Sequence, residues 1–99
     1  MKKRLPIIMV VRLARLRQAY PEDEERTYTD NISTEGARVF SRHHWEPGEQ
    51  AEIAPVKEET PVRGEVIYCQ KLASDRFFIG VKFLQHPFKW SALSRFDGR

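Results

Sequence analysis

The sequence has few of the residues on which metal sites and disulfides depend. Its 99 residues include one cysteine, Cys69, and three histidines, two of which, His43 and His44, are adjacent. A lone cysteine cannot form an internal disulfide, so we expect Cys69 to be a small buried apolar side chain in a reducing cytoplasm. Adjacent histidines on a strand point to opposite faces, and no Cys-x-x-Cys or His-Glu-x-x-His motif accompanies them. We therefore predict no metal site and expect no cofactor.

Motifs for enzymatic chemistry are missing as well. The five glycines are scattered singly, which excludes a glycine-rich phosphate loop. No Gly-x-Ser-x-Gly elbow is present to support a Ser-His-Asp hydrolase. We therefore predict no catalytic residue and a protein that is not an enzyme.

Long apolar segments are also absent. The longest uninterrupted apolar run covers residues 7–11, whereas a membrane helix needs about 20 residues. No apolar region with a small-residue cleavage site follows the basic start, so we expect no secretory signal. A composition of 40% hydrophobic and 31% charged residues is typical of a globular protein. We predict a single domain over residues 1–99, located in the cytoplasm and without membrane insertion.

Charge is unevenly distributed along the chain. The 17 Lys and Arg residues exceed the 14 Asp and Glu residues, and the net charge of +3 weakly favours anionic partners. Residues 1–17 contain basic residues and no acidic residue, whereas residues 22–25 are all acidic. We interpret the acidic run as the solvated tip of a hairpin.

The sequence does contain one clear structural pattern, the alternation of buried and exposed positions that is typical of β-strands. In the first segment Ile7, Met9, Val11 and Leu13 share one parity, and in the last segment Phe77, Ile79, Val81 and Phe83 do. Segments of strand composition are residues 7–13, 26–33, 36–41, 50–55, 62–72 and 76–84. The core is expected to contain Ile7, Met9, Val11, Ile32, Val39, Ile53, Val66, Ile79, Val81 and Phe83. In the fifth segment, parity also places Tyr68 and Gln70 on the face of Val66.

About six strands with regular turn signals predict an all-β fold, a six-stranded antiparallel β-barrel over residues 6–84. A basic N-terminal arm, residues 1–5, precedes the barrel. Phe88, Ala92 and Phe96 follow i, i+4, i+8 spacing, so residues 87–97 are expected to form a short C-terminal helical segment that covers one barrel mouth.

A polar turn between the second and third strands is the best candidate site. Asn31 and Ser33 can bond nearby backbone groups, and Gly36 accepts a positive φ, so turn chemistry alone would account for them. The same groups offer short, directional hydrogen bonds to a ligand, and glycine allows its close approach. Arginine binds guanine O6 and N7 and also phosphate, so basic residues near this turn would suit a guanine nucleotide.

The order of these elements resembles the PilZ domain, a small β-barrel family of bacterial receptors for cyclic di-GMP. Residues 31–36 fit the family's [D/N]-x-S-x-x-G pattern, and Pro47-Gly48, residues 64–66 and residues 79–83 match further segments. The resemblance extends from Leu5 to Leu84. It implies non-enzymatic second-messenger signalling, with Asn31 and Ser33 contacting a guanine base and Gly36 keeping the turn tight.

The N-terminal arm departs from the family pattern. Members that bind the nucleotide carry Arg-x-x-x-Arg just before the first strand, and Arg4 occupies the place of the second arginine. Its partner would lie before Met1, either on a longer protein or lost from this domain. Lys3 can supply charge, but an ammonium group cannot reproduce a planar bidentate fork. Arg4 and Lys3 complete the expected ligand-binding set.

Two other functions remain open. A PilZ-like domain that does not bind nucleotide would act as an adaptor for an unidentified protein partner. A small barrel could also bind nucleic acid, but no strand face interleaves basic and aromatic residues, and acidic loops flank the barrel. We therefore expect cyclic di-GMP or a protein partner, and no nucleic acid.

Overall fold

Six strands form a closed antiparallel barrel in the computed structural model, which describes residues 8–16, 24–56 and 61–84. The strands are β1 (Met9–Arg15), β2 (Glu25–Ile32), β3 (Gly36–Ser41), β4 (Gln50–Pro55), β5 (Val62–Ala73) and β6 (Arg76–Phe83). Their order around the barrel is β1-β2-β3-β6-β5-β4, and every neighbouring pair is antiparallel. The predicted fold class is confirmed. Residues 1–5, Ile7 and the segment 87–97 lie outside the described residues.

The core follows the strand alternation of the sequence. In β6, for example, Ile79, Val81 and Phe83 are at most 1% exposed, while Lys82 between them is exposed. Burial of each such side chain contributes about 1.5–3 kcal/mol. The core residues expected from the sequence that are fully buried are Val11, Ile32, Val39, Ile53, Val66, Ile79, Val81 and Phe83. Met9 is partly buried and packs against this cluster.

The expected parity of β5 is wrong beyond Val66. Val66 lies opposite Val81 and Tyr68 lies opposite Gly80, so β5 has one more residue than β6 in this interval. Such a β-bulge reverses the faces of the residues that follow it, up to the next register shift between Lys71 and Ala73. Tyr68 and Gln70 are therefore exposed, and Cys69 turns inward to pack, half-buried, against the core.

The Pro47-Gly48 turn before β4 is present as expected. The Glu49 N–H donates to the Glu46 carbonyl at 3.0 Å, and Gly48 has a φ of 98°. These features are typical of a type II turn, in which proline occupies the second position and glycine the third.

The strands β2 and β3 have a hairpin at one end. At the opposite end, side chains hold them together. The backbone pairing of β2 with β3 runs from Ile32 only as far as Thr29 opposite Val39. Beyond it, Glu25 accepts hydrogen bonds at 2.8 Å from the Ser41 hydroxyl and from the Arg42 N–H. We call this region the splayed end, defined by residues 25–28 of β2, residues 40–41 of β3 and Arg42, which follows β3.

A buried tryptophan extends this side-chain network to the next loop. Trp45 is 2% exposed, and its indole N–H donates to the Ser41 hydroxyl at 3.0 Å. The Arg15 guanidinium lies 4.2 Å from the centre of the Trp45 ring. Arg15 also donates to the Glu49 carboxylate at 2.7 Å and to the His44 carbonyl, so it holds the loop that leads to β4.

Candidate functional site

The hairpin between β2 and β3 is tied by its own polar groups. The Ser33 N–H donates to the Gly36 carbonyl at 2.8 Å, and the Ser33 Oγ accepts from the Glu35 N–H at 3.0 Å. The Glu35 carbonyl in turn accepts from the Phe83 N–H at 2.8 Å, which fastens the hairpin to β6. Ser33 is 5% exposed, so the serine at this offset supports the turn from inside.

The expected role of Gly36 requires a correction. Gly48 is the glycine with a positive φ among the described residues, and Gly36 does not need that conformation. A Cβ at Gly36 would instead lie 2.3 Å from the Val81 carbonyl oxygen, far inside van der Waals contact. Glycine is required here because β3 and β6 approach each other closely.

A β-bulge in β2 places two polar residues side by side. Thr29 lies opposite Val39 and Asn31 lies opposite Arg38, so β2 has one residue more than β3 in this interval. The Asn31 side-chain amide donates to the Asp30 carboxylate at 3.2 Å. Bulges of this kind re-aim side chains next to binding sites, and here Asp30 and Asn31 both come close to Arg38.

Arg38 is held from two directions. Its Nε and Nη2 donate to the Asp30 carboxylate at 2.9 and 2.5 Å, and its guanidinium lies 4.4 Å from the centre of the Phe78 ring. The pKa of Arg38 is raised, first because of the hydrogen bond to Asp30 and then because of that carboxylate's charge, with Tyr68 adding to the effect and burial opposing it. Arg38 stays charged in a fixed orientation.

Aromatic rings continue the surface next to Arg38. The Phe78 ring centre lies 4.1 Å from that of Phe40, which lies 4.4 Å from that of Tyr28. The ring of Tyr68 covers Gly80, where an added Cβ would lie 2.1 Å from a ring carbon. The outer face of β2, β3, β6 and β5 therefore combines flat apolar surfaces with one fixed guanidinium.

We define the hairpin site as Asp30, Asn31, Ser33, Gly36 and Arg38. The structure brings together Asn31, Ser33 and Gly36, as the sequence suggested, while Arg4 and Lys3 lie outside the described residues. Sequence reasoning missed Asp30 and Arg38. Both stand on outward positions next to the motif, but only the bulge makes them neighbours.

Other kinds of site have little support in the structure. His43 and His44 are exposed. Within residues 8–16, 24–56 and 61–84, no group of three His, Cys, Asp or Glu side chains could hold a metal ion. The same residues contain no helix able to cross a membrane.

Two solved structures share the architecture of this chain. The Bacillus subtilis inhibitor of motility, MotI/DgrA, is 17% identical, with a TM-score of 0.67 over 96% of this chain and 46% of that chain. The PilZ domain of CeSA from a cellulose-synthesizing bacterium is 18% identical, with a TM-score of 0.57 over 85% of this chain and 83% of that domain. This chain thus spans about half the length of the motility inhibitor. No family model and no curated protein matches the sequence. The similarity in structure shows that the fold is PilZ-like.

Proposed function

We propose that this chain with a PilZ-like fold is a non-enzymatic receptor domain for the bacterial second messenger cyclic di-GMP. The hairpin site is the proposed binding surface. The observation that carries the proposal is the β2 bulge, because it gathers Asp30, Asn31 and Arg38 around one hairpin. The Asn-x-Ser-x-x-Gly pattern and the fold are consistent with it.

The chemistry of the hairpin site suits a guanine base. Guanine presents N–H donors on one edge and the acceptors O6 and N7 on another. A carboxylate has more acceptor positions than the Arg38 fork occupies, and the Asn31 amide carries both donors and an acceptor. Arg38 is already oriented by Asp30 and Phe78, so little conformational entropy is lost when it meets a ligand.

The phosphates require the basic N-terminal arm. Arg4 would supply one planar fork for a phosphate, and Lys3 would supply charge without the fork. The place of the other arginine, four positions before Arg4, lies before Met1, so we expect the chain as given to bind cyclic di-GMP weakly or not at all.

A second candidate function is supported by the exposed apolar residues. Val10 and Tyr28 lie opposite each other on β1 and β2, and their exposed fractions are 47% and 39%. Ile67 at the β5 bulge is 47% exposed. Apolar surface of this kind is typical of protein contacts, so an adaptor that binds a protein partner is the alternative.

Calorimetry with cyclic di-GMP tests the proposal on two proteins. The first is the chain as given, and the second carries a short N-terminal extension with an arginine four positions before Arg4. One additional charge-assisted contact is worth about 1.5–3 kcal/mol, so the extension should strengthen binding by one to two decades.

Variants of the extended protein locate the binding surface. Asn31→Ala and Ser33→Ala should each remove much of the gain, with the fold intact by circular dichroism. Arg63→Gln, a charge change on β5, is the matched control and should leave binding unchanged. Tight binding that does not depend on Arg4 contradicts the proposed role of the N-terminal arm, and no binding even after the extension favours the adaptor.

A further inference from the structure

A cleft lies at the splayed end of β2 and β3, at the opposite end of this strand pair from the hairpin. Its volume is about 270 Å³. The lining residues are Glu25, Arg26, Thr27, Tyr28, Phe40, Ser41, Arg42 and Arg76. The arginine end of the cleft is distant from Ser33: Arg26 and Ser33 are seven positions apart along the chain, roughly 20 Å at ~3.3 Å per strand residue. The aromatic side of the cleft adjoins the hairpin site, because Phe40 contacts both Tyr28 and Phe78.

Three arginines converge on this cleft from three different strands and loops. Arg26 belongs to β2, Arg42 follows β3, and Arg76 begins β6; all three are exposed. Their guanidinium groups have no hydrogen-bond or ion-pair partner among the described residues, in contrast to Arg15 and Arg38. Together with the one carboxylate of Glu25, three arginines leave the cleft with a net positive charge, which favours a bound anion.

The Glu25 carboxylate in the cleft forms no ion pair with these arginines. One oxygen of the Glu25 carboxylate accepts from the Ser41 hydroxyl, and the other accepts from the Arg42 main-chain N–H. Both bonds hold the carboxylate towards β3 and the main chain. The guanidinium of Arg42 is left to face a ligand.

The aromatic side and the small size of the cleft indicate which kind of ligand it can hold. Tyr28 is 39% exposed and is backed by Phe40, so one ring can stack on it. A volume of about 270 Å³ is just below the ~300–1,000 Å³ of typical ligand pockets. A cleft of this size suits one charged group and one ring.

We propose that this cleft binds a phosphate monoester carried on a single aromatic or heterocyclic ring. The three arginines contact the phosphate dianion, whose several acceptor oxygens suit more than one planar fork. The ring of the ligand stacks on Tyr28. A free mononucleotide and a phosphorylated tyrosine side chain share this chemistry.

Binding can be measured by titrating the full chain with phenyl phosphate and following backbone amide NMR signals. We expect saturable shifts confined to residues 25–28, 40–42 and 76. Adenosine monophosphate and O-phosphotyrosine, titrated in the same way, distinguish the two sources of the ligand by which of them binds more tightly. Absence of saturable shifts with all three probes overturns the proposal.

Charge-matched variants test the role of the arginines. Arg42→Gln and Arg76→Gln should each weaken phenyl phosphate binding about tenfold or more, because each removes a charge-assisted contact. Arg63→Gln removes the same charge from β5 and should change the affinity less than twofold. An equal loss in the Arg63 variant would mean non-specific attraction and would overturn the proposal.

Two further variants test the ring and the separation of the sites. Tyr28→Ala should weaken phenyl phosphate several-fold while leaving the weaker binding of inorganic phosphate unchanged. Asn31→Ala, at the hairpin site, should leave phenyl phosphate binding intact. Loss of binding in the Asn31 variant would contradict a separate site, whatever the outcome with cyclic di-GMP.

Discussion

The two ends of the β2–β3 pair are built in different ways. At the hairpin, main-chain groups and short side chains close the structure, with Ser33, Glu35 and Gly36 bonding within a few residues of one another. At the splayed end, the main-chain pairing stops, and the two strands are joined by a side-chain bond between Glu25 and Ser41, which are 16 positions apart in the chain. One end therefore depends on local backbone geometry, and the other depends on side chains brought together by the whole fold.

This difference explains why a sequence motif marks the hairpin and none marks the splayed end. Local turn chemistry leaves fixed offsets in the sequence, such as the Ser33 and Gly36 spacing. The network of Arg15, Trp45 and Glu49 joins residues up to 34 positions apart, so no short pattern marks it. Substitutions at the splayed end should consequently cost more stability than equivalent substitutions at the hairpin.

The largest effect is expected for Trp45→Ala. The side chain is buried, bonds Ser41 and supports the Arg15 guanidinium, so its truncation should lower the free energy of unfolding by about 3–5 kcal/mol. Urea denaturation measures the loss. Trp45→Phe keeps a smaller aromatic ring in place and removes the N–H, and should cost less than half as much. A loss below about 1 kcal/mol in the alanine variant would show that this loop does not stabilise the barrel.

The next effect compares the two serines. Ser41→Ala removes one donor and two acceptor contacts and leaves the Trp45 indole N–H buried without its partner, at a cost of about 2–3 kcal/mol. Ser33→Ala removes the bond from the Glu35 N–H, which lies at an exposed residue where water can replace it, so we expect ~0.5–1 kcal/mol. Chemical denaturation of the two variants side by side should give this order. Equal losses would remove the distinction between the two ends.

The third prediction compares alanine substitutions at two glycines of the barrel, Gly36 at the hairpin and Gly80 in β6. Gly36→Ala forces a Cβ against the Val81 carbonyl, and because backbone cannot move aside, we expect a loss of about 1–2 kcal/mol. Gly80→Ala meets only the Tyr68 ring, an exposed side chain that can swing away, so its loss should be smaller. Thermal unfolding of both variants checks the order. A larger effect at Gly80 would mean that the Tyr68 ring is fixed.

The smallest effect should come from the ion pair of the hairpin site. Asp30 and Arg38 are partly exposed, and pairs of this kind contribute at most about 1 kcal/mol. Asp30→Asn and Arg38→Gln should therefore leave stability nearly unchanged by urea denaturation. If the hairpin site binds cyclic di-GMP, the same variants should weaken ligand binding in the extended protein. Strong destabilisation instead would assign the pair a structural role.

The sequence predicted much of the fold and only part of the site. Alternation in β6 and the turn at Pro47-Gly48 identified the strands and their buried faces correctly, because both signals are local. The bulges at Asp30 and Ile67 were not predictable, since an extra residue is defined only against the partner strand. For the same reason, the Asp30–Arg38 ion pair could not be predicted from the sequence. The binding roles of Asn31, Ser33, Gly36, Arg4 and Lys3 remain predictions.

The closed barrel also has a consequence for how fast the protein folds. Closure needs β1 to pair with β4, so that Leu13 meets Ile53, and needs β3 to pair with β6, so that Val39 meets Ile79. Each of these pairings closes a long loop of chain before it gains any stabilising contact. Small β-barrels of such topology fold in about milliseconds to seconds, much more slowly than helical proteins of equal size. Refolding kinetics of this chain should lie in that range, with the transition state depending on residues at the β1–β4 and β3–β6 seams.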